Sequence, residues 1–154
     1  MATGLELKAI SKKRLKTVGY LLSAKDWEAA VYLMGMTLEI ALKSAACKAL
    51  HLDNYPESQH IDDGYFKTHS FDRLLRISGC SDIFSLKGSQ DAFDNWSLFT
   101  EAFIFGGSSG KWMAMRYDPK MLATLTEVKA KDLYSQLYED ENSILKLMTE
   151  RRRW

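Results

Sequence analysis

The spacing of apolar positions is strongest over residues 26–50. Trp27, Val31, Met34, Leu38, Leu42 and Ala45 recur three and four residues apart and so share one helical face. Tyr32, Met36, Ile40 and Cys47 lie on the opposite side. The stretch has no Pro and a single Gly, and is rich in Ala, Leu and Met. A helix apolar nearly all round belongs in the middle of a bundle. Asp26 is placed to cap it. Glu39 and Lys43 sit one turn apart inside it, in the order that favours an i,i+4 ion pair.

Residues 5–23 predict a first helix. Its apolar stripe is Leu7, Ile10, Val18, Leu21 and Leu22, while Lys8, Lys12, Lys13 and Lys16 form a solvated face. The break at 23–26 is short enough to make the two helices antiparallel. Residues 51–68 are polar, with Asn54, Pro56, Asp62, Asp63 and Gly64, and read as a long loop that is mobile or functional. Ser70 caps a third helix buried through Phe71, Leu74, Leu75 and Ile77 and closed by Ser78-Gly79. A short turn at 82–86 follows. Residues 90–105 then predict a fourth helix with Phe93, Trp96, Leu98, Phe99, Ala102 and Phe103. The Gly-rich run 106–110 reads as a flexible break. Pro119 opens a last helix that continues to about residue 150, with Leu122, Ala130, Leu133, Leu137, Ile144 and Met148 on one face. The basic tail 151–154 suits a helix C-terminus and is expected to fray. No segment alternates with period two, so no sheet is expected. The pattern predicts a single all-α domain over 1–154, an up-and-down bundle of about five helices.

Composition narrows the picture little further. A length of 154 residues, 46% of them hydrophobic and 27% charged, fits one domain with its own core. A net charge of +1 gives no global pull toward nucleic acid or membrane. Two cysteines, Cys47 and Cys80, make no disulfide framework and read as reduced thiols of a cytoplasmic protein. The longest uncharged run of the central helix, 29–38, is too short for a membrane span, and the N-terminal residues show no secretory pattern.

Candidate chemistry is sparse. His51, His60 and His69, with Asp62 and Asp63, are the only metal-type cluster, and their spacing matches no helical ligand motif; no metal and no cofactor are expected. Cys80 follows a helix end, with nothing nearby to lower its pKa. Ser108 and Ser109 lack a neighbouring base, and the run 106–110 lacks the Gly-Lys-Ser/Thr ending of a phosphate loop. The segment with Lys111, Trp112, Arg116 and Tyr117 is richer. Its rings and cations suit stacking on a base or contacting a phosphate. Equally, Trp112 and Tyr117 can plug the core, with Arg116 paired to Glu39 or another carboxylate.

These residues together resemble a HEPN domain. The resemblance rests on the tight helical pair, on Ala30, Glu39 and Lys43 in the central helix, and on a Glu-x-x-Leu-Lys string matched by Glu39, Leu42 and Lys43. It continues with His69 ahead of Leu74-Leu75, and with Arg116-Tyr117-Asp118-Pro119, similar to an Arg-Tyr-Pro string opening the last helix. It covers roughly residues 5–148. The resemblance implies an all-α bundle of about five helices and a homodimer, related to the substrate-binding partners of minimal nucleotidyltransferases. Many such domains are RNases of toxin–antitoxin or antiphage systems, with an Arg-x(4–6)-His motif near the last helix. Here every histidine precedes Arg116 and no Arg is followed by His at that spacing. The imidazole of that motif is therefore missing.

The function expected is a non-catalytic module that binds a nucleotide or RNA and dimerises, partnered with a nucleotidyltransferase and not with a membrane. Glu39, Lys43, Lys111, Trp112, Arg116 and Tyr117 would line its site. An alternative is a metal-independent RNase in which His69, Arg116 and Tyr117 replace the usual pair. Another is an interaction bundle, with Trp27, Trp96 or Trp154 marking interfaces.

Overall fold

The structure, a computed structural model, describes residues 2–56, 65–108 and 110–154. It is 64% helical and has no strand among the described residues, so the chain is an all-α bundle. Helix α1, Gly4–Ser23, opens with a capping box: the Thr3 hydroxyl accepts from the Glu6 N–H, and the Glu6 carboxylate accepts from the Thr3 N–H. Helix α2, Trp27–Ala49, starts at Asp26, whose carboxylate accepts from the Ala29 N–H at 3.3 Å. Between them the chain reverses through Lys25, which adopts a left-handed φ of 60°. The N–H groups of Lys25 and Asp26 return to the carbonyls of Leu22 and Leu21, a Schellman closure made without glycine. Ser11 donates to the Thr37 carbonyl and Ser44 to the Gly4 carbonyl, so the two helices run antiparallel as expected.

Helix α2 is the core of the molecule, buried over most of its length. By length and composition it would also pass for a membrane span, but 78% of its most apolar window is buried inside the protein. Ala, Gly and Ser positions let neighbours close in on it. At Gly35 the rings of Phe103 and Trp112 approach so closely that an added Cβ would lie 2.6 and 2.9 Å from them. These rings belong to an enclosed aromatic cluster. Phe71 of α3 (Phe71–Ile77) stacks on Trp112 at 5.7 Å and meets Phe103 edge-on at 5.5 Å, and Phe99 of α4 (Gln90–Glu101) adjoins Phe103 at 4.9 Å.

The second half departs from the sequence reading in three places. Helix α4 ends at Glu101, not near residue 105. The Gly-rich run is a tight reversal, not a flexible break. Phe105 and Ser108 exchange both backbone hydrogen bonds at 3.0 Å around Gly106 and Gly107, which both have positive φ, as a two-residue hairpin turn requires. Ser109 lies outside the described residues. The expected long last helix is broken into α5 (Pro119–Leu122), α6 (Glu127–Tyr134), a π-helical turn (Ser135–Glu139) and α7 (Ile144–Glu150). Short polar side chains cause the breaks by competing for backbone groups. Thr124 donates to the Met121 carbonyl while Thr126 caps α6 through the Lys129 N–H. Asp140 accepts from the Asn142 N–H, and Ser143 donates to the Tyr138 carbonyl.

The tail does not fray. Arg152, at φ 54°, turns the chain back after α7. Arg153 then holds Asp82 through its two terminal guanidinium nitrogens, at 2.9 and 2.7 Å, and also donates to the Gly79 carbonyl. The Trp154 indole is buried and donates to Thr149, and its backbone oxygen accepts from Lys8 at 2.8 Å.

Candidate functional site

Tyr32, Glu39 and Lys43 lie seven and four residues apart, so α2 presents them along one side. Glu39 and Lys43 are nearly enclosed, with side chains 10% and 9% exposed, and their charged atoms are 3.1 Å apart. A carboxylate buried this deeply needs several partners. The second is His69, on the segment that leads into α3. Its Nδ1 lies 3.0 Å from both Glu39 oxygens. A carboxylate only accepts, so Nδ1 carries the hydrogen and donates. The His69 side chain is 47% exposed, so this imidazole joins the buried pair to the surface. The Lys43 ammonium also sits 5.1 Å over the ring of buried Tyr55, whose hydroxyl donates to the Phe66 carbonyl.

The 3-10 turn Trp112–Tyr117 completes the arrangement. The Trp112 indole donates to the His69 carbonyl at 2.9 Å and packs 5.5 Å from the Tyr32 ring. Arg116 donates to the Tyr32 hydroxyl at 3.0 Å, and its guanidinium lies 4.8 Å from the Tyr117 ring centroid. One chain of contacts therefore runs from Arg116 through Tyr32, Trp112, His69 and Glu39 to Lys43.

The structure sorts the sequence candidates by depth. Trp112 has no exposed surface, so stacking on an external base is closed to it; it is the core plug. Arg116 is bonded to Tyr32, not to Glu39, whose oxygens are held by Lys43 and His69. Lys111, Arg116 and Tyr117 are on the surface, and Tyr117 is 76% exposed. Sequence reasoning missed Tyr32 and Tyr55 as the rings that seat Arg116 and Lys43. The seven-residue step from Tyr32 to Glu39 was the available signal.

The remaining candidates separate from this site. Cys47 and Cys80 are both buried, and burial raises both thiol pKa values, which disfavours the thiolate nucleophile. No group of three His, Cys, Asp or Glu side chains fit to hold a metal ion occurs among the described residues. His60, Asp62, Asp63 and Gly64 lie outside them. Trp96 is buried against Phe84 at 5.2 Å, and Trp27 is half-buried with Lys131 at 6.0 Å over its ring. Trp154 is buried too, so of these three tryptophans only Trp27 keeps part of its surface exposed.

A scan against protein-family models, a search of curated proteins and a search of solved structures each returned no match to this chain.

Proposed function

We propose that this chain is a HEPN-like, non-catalytic module that dimerises and holds a nucleotide or a single-stranded RNA segment at the surface around Arg116 and Tyr117. The observation that carries this reading is the exposed stack of the Arg116 guanidinium on the Tyr117 ring, 4.8 Å from its centroid. A ring with an adjacent cation offers a base a stacking face and a phosphate a counter-charge. The stack is seated by Tyr32 on the enclosed Trp112, so the surface is positioned before any ligand arrives. Lys111, at the start of the same turn, adds a cation to this surface.

Fluorescence anisotropy of a labelled short single-stranded RNA, competed with ATP or GTP, tests the proposal. Arg116→Ala and Tyr117→Ala are each expected to weaken binding about tenfold, the scale of one lost stacking or ion contact, with the melting temperature nearly unchanged. Unchanged affinity, or a collapse of stability in place of affinity, overturns it. Light scattering on the same samples reads the dimer; a monomer at every concentration rejects that half of the proposal.

A second reading is favoured by one observation. His69 has the geometry of an oriented acid–base group, held through Nδ1 by a buried carboxylate while its ring reaches the surface. Metal-independent cleavage of RNA that His69→Ala removes would establish it. Intact RNA after prolonged incubation would dismiss it.

A further inference from the structure

An open groove of about 870 Å³ lies between α1 and the C-terminal segments, a volume in the range of small-molecule sites. Leu15 and Gly19 line it from α1; Tyr134, Tyr138 and Leu145 line it from the facing segments, together with Trp154. Its walls are mostly apolar and aromatic. Two features mark it as more than a crease between helices. Gly19 stands within α1, where glycine costs about 1 kcal/mol relative to alanine, yet a Cβ there would meet nothing within 4 Å. No close packing demands this glycine, and its place leaves the groove wide. Across from it, Tyr134 leads into the π-helical turn Ser135–Glu139 and Tyr138 lies within it, a rare backbone form concentrated at functional sites.

Charge decides the class of ligand. Lys12 and Lys16 stand on successive turns of α1 at the groove, and neither is in an ion pair among the described residues. Lys146 is also at the groove, already donating to the Glu139 carbonyl. Glu141 and Glu150 belong to the same lining. An anionic head therefore finds two uncommitted ammonium groups on α1, while the carboxylates repel any second negative charge. We propose that this groove binds a monoanionic amphiphile of the medium-chain carboxylate class. Its carboxylate would lie at Lys12 and Lys16, and its hydrocarbon chain would run past Gly19 between Leu15 and Leu145. The site is separate from the Arg116 surface and does not depend on the nucleotide reading.

The experiment is titration calorimetry of the whole chain with dodecanoate below its micelle concentration. The comparison ligand is dodecyltrimethylammonium, which has the same tail and the opposite charge. One saturable dodecanoate site per chain is expected, with the cation at least tenfold weaker. Gly19→Leu, which fills the open space with a strong helix former, is expected to abolish binding while the melting temperature holds or rises. Lys12→Glu combined with Lys16→Glu is expected to weaken dodecanoate at least tenfold and to improve the cation. Absence of saturable binding, equal binding of both amphiphiles, or dodecanoate binding that survives Gly19→Leu each overturns the proposal.

Discussion

Gly35 and Gly19 show how one residue type carries opposite consequences. Both lie within helices, where alanine is the better helix former. At Gly35 a methyl group would collide with the buried rings of Phe103 and Trp112, neither of which has room to withdraw. Gly35→Ala is expected to lower stability by about 1–3 kcal/mol, the cost of overpacking a filled core. Gly19→Ala, with nothing near its Cβ, is expected to raise stability by about 0.5–1 kcal/mol. Urea unfolding of the two variants beside the parent reads both signs. Glu39 gives a third measurement by the same method. Glu39→Ala would take away the enclosed carboxylate that Lys43 and His69 share, and is expected to cost about 1–3 kcal/mol. The pairing of Glu39 with Lys43 was legible in the sequence because a helix brings i and i+4 together. The pairing of Glu39 with His69 was not, because it spans 30 positions and depends on how an irregular segment crosses α2.

At the scale of elements, legibility followed the strength of the local signals. Asp26 and Ser70 announced α2 and α3 because each is a capping residue directly before an apolar period. The Thr3–Glu6 box was equally plain in type, and it starts α1 one residue earlier than the apolar pattern did. The breaks after α5 and around residues 140–143 were masked by an apolar period that continues through them, so Ile144 and Met148 counted as one face with Leu133 and Leu137. The tail was misjudged for a different reason: what holds Arg153 and Trp154 is distant in sequence. Its anchor gives a pH prediction. The Arg153 guanidinium, chiefly through its hydrogen bonds, holds the Asp82 carboxyl below the ordinary aspartate value. A carboxyl depressed in the folded state stabilises above the unfolded pKa, and that stabilisation is lost as pH falls through the folded pKa. Asp82→Asn is therefore expected to lower the melting temperature at neutral pH, with the gap to the parent closing below about pH 4. The Asp82 side chain is 61% exposed, so screening limits the effect to about 0.5–1 kcal/mol. Melting curves at stepped pH follow the gap.

Across the whole molecule, α2 organises both the core and the polar stripe. Its enclosed side meets the aromatic cluster, and its stripe of Tyr32, Glu39 and Lys43 is covered by segments that arrive from three different places in the chain. The bundle class was readable because a helix as apolar as this one has to be surrounded. The candidate surface at Arg116 and Tyr117 was readable only as a cluster of residue types, since its depth is set by where Trp112 lands.

Trp154 sets an order of events during synthesis. Helices α1 and α2 leave the ribosome consecutively and can pair as a local hairpin while the rest of the chain is still being made. Trp154 follows much later, for its backbone oxygen accepts from a lysine 146 positions upstream. Throughout that interval the flank of α1 that Trp154 covers in the finished fold stays open to water.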